Sequence, residues 1–354
     1  MSKSENDLLR RMPKIDTHCH LDGSLRVETV LELAKKQRVR MPADTVEDLR
    51  RFVTVAPTCG SLADFLDVFN YIYPLVRDPA SVERVAYELI EDCAQENIRH
   101  VEVRDAPVIH AHEKFTAAHF VEAALRGLRR GRKDFGVTSG FIIGLFRSHS
   151  PKENRVAFDA VKRFYRPGNG LREPGVVGMD LCGDEARFPT MEFADFYREA
   201  RELGIPTTCH AGETEGTENL QAALDLEVGR IGHGTHLFED DKLLERVVQT
   251  GTPVEVGITS NLRTKSVARA EDHPIREFHR RGVRVSINTD DRGMIDIDLT
   301  HEFETALKIG FTFEQLMKLS TDSVDHLFLP MEDRRKLKAS FQGEMRALRP
   351  AAIR

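Results

Sequence analysis

The residues most suited to chemistry are histidines and acids at the ends of short apolar runs. His18 and His20 form a His-x-His pair, His210 ends a later run, and the pair Asp290–Asp291 follows the last one. Residues two apart on a β-strand face the same side, so both histidines of the pair can point one way while Cys19 points the other. Three imidazoles and one of the two carboxylates suit zinc and leave room for water, although iron or manganese could occupy the same ligands. The pattern predicts a divalent-metal site.

The apolar runs themselves predict the elements that position these residues. Each run is short, rich in β-branched residues and followed by a stretch with helical periodicity, which is typical of parallel strands joined by crossover helices. Eight runs in one series favour an α/β fold of the (β/α)8 TIM barrel type over an open doubly wound sheet, and no glycine-rich phosphate motif follows the first run. The predicted strands are Lys14–His18, Ile98–Arg104, Val137–Leu145, Val176–Leu181, Pro206–His210, Gly229–Gly232, Pro253–Gly257 and Val283–Asn288.

Helices are predicted where apolar residues recur at spacings of three and four. The segment 21–97 is too long for one crossover, so we expect additional helices after strand 1, near the barrel mouth, and further helices at the C-terminus. We interpret residues 1–354 as a single domain. The predicted helices are Leu62–Tyr73, Val82–Gln95, Ala117–Lys133, Asn154–Phe164, Met191–Leu203, Asp240–Gln249, Pro274–Arg281 and those within Thr312–Arg346.

Polar residues end five of the predicted strands, which is where β/α barrels carry their active sites. Each pattern alone has an ordinary structural explanation, such as a hydrogen-bonded core histidine or an aspartate that caps a turn. Their shared position at strand ends favours one joint site. The residues are His18-Cys19-His20, Asp180 through Asp184, His210-Ala211-Gly212-Glu213, His233 and Asp290-Asp291.

Composition restricts the class of partner. A net charge of -6 gives no general attraction to nucleic acid or anionic lipid, so we expect a small-molecule substrate. The N-terminal residues lack the apolar core of a signal peptide and no apolar run is long enough to span a bilayer, so we expect no membrane association and a cytoplasmic location. Five cysteines without a C-x-x-C pair argue against both a disulfide framework and cysteine-ligated zinc, and predict buried reduced thiols. No feature indicates an oligomeric state.

Six stretches of the chain, taken in order, resemble the adenosine and related aminopurine deaminases of the amidohydrolase superfamily. They span positions 15 to 291, and the ordered set is far more specific than any one member. The stretches are Ile15-Asp16-Thr17-His18-Cys19-His20-Leu21-Asp22-Gly23-Ser24-Leu25, Gly178-Met179-Asp180-Leu181-Cys182-Gly183-Asp184-Glu185, His210-Ala211-Gly212-Glu213, Arg230-Ile231-Gly232-His233-Gly234, Thr259-Ser260-Asn261 and Ser286-Ile287-Asn288-Thr289-Asp290-Asp291.

The resemblance implies the same barrel fold, hydrolytic deamination of adenosine and 2′-deoxyadenosine, and one zinc ion per chain. It assigns the zinc to His18, His20, His210 and Asp290. It also implies that a purine nucleoside lies with its base against Gly183, Glu213 and Asp291, with His233 beside the attacking water and Asp22 near the sugar. In this assignment protonated Glu213 donates to N1 of the purine, Asp291 hydrogen bonds at N7, and His233 orients the water or takes its proton.

One position departs from the family pattern. The family commonly has proline after the paired aspartates, whereas this chain has Arg292, which we expect to be solvent-exposed.

The motifs leave the identity of the substrate open. Members that take adenosine carry aspartate at the position of Asp22, and those that act on free adenine tend to carry glutamate. Free adenine, 2′-deoxyadenosine and modified adenine nucleosides present the same amine. Another amidohydrolase reaction, or a silent metal-binding protein, is the remaining alternative.

Overall fold

Eight parallel strands form the centre of the structure within residues 3–166 and 171–352, which are the residues described by the computed structural model. Each predicted strand overlaps an observed one, so the strand prediction is confirmed. The strands are β1 Lys14–His20, β2 Ile98–Asp105, β3 Thr138–Phe146, β4 Val176–Cys182, β5 Thr208–Ala211, β6 Arg230–His233, β7 Val254–Val256 and β8 Val285–Ile287.

The strands pair in sequence order around a ring. Regular ladders join β1 to β4 and β5 to β8 as two four-stranded sheets. The two sheets meet at single parallel pairs, Met179 with Thr207 at one edge and Cys19 with Asp290 at the other. At the second edge the Asp290 amide donates to the His18 carbonyl at 2.8 Å, and the His20 amide donates to the Asp290 carbonyl at 2.8 Å. The predicted (β/α)8 arrangement is therefore confirmed.

The long connection between β1 and β2 forms the predicted additional helices. The predicted helix over Leu62–Tyr73 is shorter than expected, because its α-helical part ends at Asp67 and continues as a 3-10 turn over Val68–Tyr71. Phe65 and Phe69 from this segment pack with Val55, Met294 and Ile295 in a small apolar cluster. The first helices of the chain are α1 Lys3–Arg11, α2 Val27–Gln37, α3 Val46–Val53, α4 Leu62–Asp67 and α5 Pro79–Gln95.

Crossover helices connect the remaining strands, and their ends follow from local sequence. Thr116 and Ser150 form capping boxes at two helix starts, and Gly136, Gly251 and Gly282 end helices in the left-handed conformation that glycine adopts readily. These helices are α6 Pro107–His110, α7 Ala117–Phe135, α8 Pro151–Phe164, α9 Ala194–Glu202, α10 Glu218–Asp225, α11 Asp241–Thr250, α12 Ile258–Arg263 and α13 Ile275–Arg281.

Helices after β8 complete the structure, as predicted. They are α14 Arg292–Ile295, α15 Leu299–Lys308, α16 Phe313–Asp322 and α17 Met331–Ala352. Within the described residues no helix combines the length and apolar character that crossing a membrane requires. All five cysteines are free thiols and all except the half-buried Cys59 are buried, in agreement with the sequence-based expectation.

Arg292 is buried, so the expectation of a solvent-exposed side chain is wrong. Its guanidinium pairs with Glu96 at the end of α5, and Glu96 also accepts the Thr300 amide at 2.9 Å. The reason is the course of the loop after β8, where Gly293 lies against the backbone of Ser24 and Leu25 too closely for a Cβ atom. This close approach brings Arg292 against α5, where a carboxylate compensates its charge. The arginine therefore ties the loop after β8 to the long connection between β1 and β2.

Candidate active site

Three imidazoles and one carboxylate converge at the carboxyl end of the barrel. His18 and His20 end β1, His210 lies in β5, and Asp290 follows β8. The Nε2 atom of His210 lies 3.1 Å from that of His18 and 3.2 Å from that of His20. Asp290 Oδ1 lies 3.1 Å from His18 Nε2 and 3.3 Å from His20 Nε2. The structure thus brings together all four residues that the sequence assigned to the metal.

The spacing of these atoms fits a metal ion. A tetrahedron with zinc–ligand distances of about 2.0 Å has edges of about 3.3 Å, close to the separations in this cluster. Among the described residues, the buried Oδ1 atom of Asp290 has no hydrogen-bond partner, while its Oδ2 accepts from Ser260 Oγ at 2.6 Å. A buried acceptor without a hydrogen-bond partner is unfavourable unless a cation or a hydrogen-bond donor binds to it. The cluster can therefore hold a divalent cation.

Carboxylates orient two of the histidines through Nδ1, the ring nitrogen that does not face the cluster. Glu255 Oε2 lies 3.0 Å from His18 Nδ1, and Asp180 Oδ2 lies 3.1 Å from His210 Nδ1. In each ring the proton therefore sits on Nδ1, and Nε2 is free to bind a metal. Burial alone would raise the pKa of Glu255, but the Arg104 and Arg230 guanidiniums outweigh it and hold that pKa below its usual range.

Both carboxylates belong to a chain of alternating charges inside the barrel. Arg104 donates to Asp180 at 3.0 Å and to Glu255 at 2.9 Å. Arg230 continues the chain, with ion pairs to Glu255 at 2.6 Å and to Glu102 at 2.5 Å. No motif in the sequence indicated the roles of Arg104, Glu255 and Glu102. A charged residue between two apolar residues of a buried strand could have indicated these roles, because its side chain must point into the barrel. Val-Glu-Val of β7 is an example.

Glu213 lies next to the metal cluster in a buried environment. Its Oε2 is 3.5 Å from His233 Nε2. Burial, together with the charges of Asp290 and Glu185, raises the pKa of Glu213 to about 8. The Glu185 carboxylate fixes the loop after β5, because it accepts hydrogen bonds from the backbone amides of Gly212 at 3.0 Å and Glu213 at 2.5 Å. At neutral pH Glu213 is therefore a carboxylic acid that can donate a proton.

His233 is held at the end of β6 in a left-handed backbone conformation, with φ of +64°. Asp290 has a similar φ of +60°. Such values are unfavourable for residues other than glycine and often occur where a site needs a particular side-chain direction. The ring of His233 lies 5.0 Å from those of His18 and His210, so it borders the metal cluster.

A pocket opens in front of the cluster. Asp22, Gly183 and Asp291, the predicted substrate residues, all line it together with Glu213 and His233. Apolar side chains from the long connection between β1 and β2 cover the pocket, namely Leu62, Phe65, Leu66 and Phe69. Every predicted site residue except His18, which lies in the cluster beside it, lines this one cavity. The cavity has polar groups at its base and an apolar cover, the composition typical of small-molecule sites.

Two glycines shape this pocket. Gly183 has a φ of +99°, a conformation that favours glycine. At Gly23 a Cβ atom would lie 1.7 Å from Asp291 Oδ1, so only glycine lets the acid pack there. Burial, with the neighbouring Asp290 and Asp22 carboxylates, raises the pKa of Asp291 well above its ordinary value. This shift favours the neutral form of Asp291, which can donate a hydrogen bond into the pocket.

Asp22 is supported by residues that the sequence analysis did not identify. His110 is fully buried, with Nε2 at 3.0 Å from Asp105 Oδ1 and 3.7 Å from Asp22 Oδ2. Asp22 Oδ1 is buried without a hydrogen-bond partner among the residues that the structure describes. The signal for Asp105 was its position immediately after the second predicted strand, where barrel enzymes place functional groups.

The barrel and its cluster define an amidohydrolase-type hydrolase. Within this class the chain belongs to the adenosine deaminase family, whose model matches residues 13–342. This finding confirms the resemblance noted in the sequence. The adenosine deaminase of Clostridium perfringens strain 13 is 36% identical over 334 residues, which cover 94% of this chain and 98% of that protein.

Solved structures of similar proteins share the fold. An amidohydrolase from Burkholderia ambifaria with bound zinc is 25% identical, with a TM-score of 0.89 and coverage of 100% of this chain and 96% of that chain. An adenine deaminase from Arthrobacter aurescens is also 25% identical, with a TM-score of 0.86 and coverage of 95% of this chain and 99% of that chain. The overlap extends over nearly the whole length of each chain.

Proposed function

We propose that the protein hydrolyses adenosine to inosine and ammonia, using one zinc ion held by His18, His20, His210 and Asp290. The observation that carries this proposal is the position of a protonated acid, Glu213, beside four convergent metal donors at the base of one pocket. The similar zinc-bound amidohydrolase supports zinc as the metal. When bound, the ion lowers the pKa of a water molecule toward neutrality and supplies the nucleophile for C6 of the purine.

Glu213 is the proton donor in this proposal. Attack at C6 breaks the aromaticity of the ring and places negative charge on N1, which a carboxylic acid can neutralise. A carboxyl with a pKa near 8 is mostly protonated at neutral pH and can donate at that moment. The clamp of Glu185 on the backbone of this loop keeps the acid in place.

The remaining pocket residues orient the base and the water. Asp291, as a neutral acid, donates to N7, and the Gly183 backbone amide lies against N3 of the purine. His233 contacts the attacking water, which it orients or deprotonates. These contacts fix the C6 amine toward the metal cluster and exclude other water from the reacting atoms.

Asp22 carries the proposal that the substrate is a nucleoside. Its buried Oδ1 faces a pocket in which a ribose hydroxyl would complete its hydrogen bonding. A glutamate here would extend into the space of the sugar. The resemblance to an adenine deaminase makes free adenine the second candidate.

A substrate panel tests this proposal. Zinc-loaded protein is supplied with adenosine, 2′-deoxyadenosine, adenine and AMP, and ammonia release and purine absorbance are recorded. We expect adenosine to be preferred, with Asp22→Ala and Asp22→Glu losing adenosine turnover roughly 5- to 150-fold relative to adenine, which corresponds to about 1–3 kcal/mol for one buried unsatisfied group. The exposed Asp67→Ala variant on α4 serves as the control. A parent protein that prefers adenine would overturn the nucleoside assignment.

A further inference from the structure

A chain of hydrogen bonds connects the backbone of α13 to His233. The Ile275 amide donates to His273 Nδ1 at 3.2 Å, within the first turn of the helix, where amides lack intrahelical partners. His273 Nε2 lies 3.2 Å from Asn261 Oδ1, and Asn261 Nδ2 lies 3.1 Å from His233 Nδ1. All three side chains are buried. We call His273 and Asn261, with this amide, the relay.

The backbone amide fixes the direction of every bond in the relay. An amide N–H can only donate, so His273 Nδ1 must accept. Burial lowers the pKa of His273 to about 3, so this ring is neutral and carries its single proton on Nε2. That proton can only be donated to the carbonyl oxygen of Asn261. The amide nitrogen of Asn261 is then the atom that faces His233, and it is a donor only.

His233 must therefore accept at Nδ1. A neutral imidazole that accepts on one nitrogen carries its proton on the other, so Nε2–H is directed toward the pocket. The opposite tautomer would place two N–H groups against each other between His233 and Asn261, and a doubly protonated ring would do the same. The relay thus disfavours both other forms of His233 by geometry.

We propose that His273 and Asn261 are positioning residues that hold His233 with its Nε2–H directed into the pocket, so that His233 donates a hydrogen bond to the oxygen of the attacking water. This inference rests on the proposed deaminase reaction and deepens it, because it selects one of the two roles assigned to His233. A ring locked in this way presents no lone pair to the water. His233 Nε2 then accepts no proton, and the proton that the water loses when a bound metal lowers its pKa would pass to solvent before the attack.

The tautomer can be measured without substrate. Zinc-loaded protein with ¹⁵N-labelled histidine side chains is recorded by long-range ¹H–¹⁵N NMR, and His233 is assigned by its loss in His233→Gln. We expect the Nε2 resonance of His233 to be of the protonated type and Nδ1 of the unprotonated type. A protonated Nδ1 would overturn the inference. Because this readout needs no turnover, it stands apart from the substrate panel, whose failure would refute the proposed reaction alone.

Two substitutions of His273 test the relay itself. His273→Gln keeps an N–H donor toward Asn261, whereas His273→Leu removes it. We expect His273→Leu to lower kcat roughly 10- to 100-fold with little change in KM and to change the ¹⁵N signature of His233, since misplacing a catalytic histidine removes much of its contribution. His273→Gln should keep kcat within about threefold of the parent, because the N–H donor toward Asn261 is retained. His279→Leu, within α13 and outside the relay, is the matched control.

The outcomes separate positioning from general stabilisation. Loss of kcat in both His273 variants with an unchanged His233 tautomer would mean that His273 is only structural, and would overturn the proposal. Parental kcat in His273→Leu would also overturn it. If His273→Leu does not fold, the NMR measurement on the parent protein and the kcat of His273→Gln still decide the matter.

Discussion

Replacing Arg104 with methionine tests the charge chain behind the metal cluster. Arg104 is fully buried and is the cation shared by Asp180 and Glu255, the carboxylates that orient His210 and His18. Methionine fills a volume similar to that of the arginine stem but carries no charge. In the variant Glu255 keeps Arg230 at 2.6 Å, whereas Asp180 loses its cation and retains His210 and the Leu181 amide. One buried carboxylate is left uncompensated.

The expected size of the effect follows from that single charge. Removing one partner of a buried ion pair destabilises a protein by about 3–5 kcal/mol. With an unfolding entropy of about 2.1 cal/mol/K per residue, a chain of 354 residues has about 0.7 kcal/mol/K in total, so the Tm should fall by about 4–7 °C. Because the carboxylates also fix the metal-binding tautomers of two histidines, zinc affinity should fall about 10- to 100-fold.

Calorimetry of the metal-free protein measures the first effect, and competition with a chelator measures the second. Metal-free protein is needed because bound zinc adds its own stabilisation. The control is Arg99→Met on the same strand, which removes an exposed ion pair with Glu344 at 2.6 Å. Exposed pairs contribute about 0–1 kcal/mol, so this control should leave the Tm within about 1 °C of the parent.

A double variant decides whether the buried charge is the cause. Asp180→Asn in the Arg104→Met background removes the uncompensated carboxylate. The free energy of unfolding of the double variant should therefore be at least about 1 kcal/mol higher than that of Arg104→Met, which would show that the two sites are coupled. Zinc affinity should stay low because Asp180→Asn leaves His210 Nδ1 facing an amide in place of a carboxylate. A double variant no more stable than Arg104→Met would refute the electrostatic argument and leave packing as the explanation.

Two further predictions concern the metal and the acid. His18→Ala should lose zinc and activity together by elemental analysis and ammonia release, and a metal-free variant with parental turnover would contradict the proposed site. Glu213→Gln should retain zinc while kcat falls about 10²- to 10⁴-fold, because Glu213 donates a proton and does not ligate. Since protonated Glu213 is the active form and its pKa is about 8, kcat/KM of the parent should decline as pH rises through about 8, and this decline should be absent from Glu213→Gln.

The strands and the four candidate metal donors were predictable because their signals are local. Short β-branched runs and helical periodicity are properties of consecutive residues, and the barrel rule then places the end of each strand at one face. His18 and His20 share a side because side chains alternate along β1. The resemblance carried by the ordered motifs implied the proposed roles of Glu213 and Asp291, which composition and spacing alone did not distinguish from ordinary strand-end acids.

Arg292 shows where local reasoning fails. An arginine in a loop is ordinarily exposed, and nothing in the neighbouring residues indicates its burial. The ion pair with Glu96 joins positions 196 residues apart, and it forms because the loop after β8 passes close to the backbone of Ser24 and Leu25. The sequence contains both charges, but only the folded chain brings them together.

The fold class, the candidate metal donors and the acids at the strand ends could be predicted from the sequence, because periodicity, strand position and motif order can all be seen along the chain. The tertiary structure alone decided which groups support them. Arg104 meets Asp180 and Glu255 across separations of 76 and 151 residues, and the relay reaches His233 through a helix start that no motif marks. Such contacts depend on side chains that meet inside a closed ring of strands, and their geometry has no counterpart in the spacing of residues along the chain.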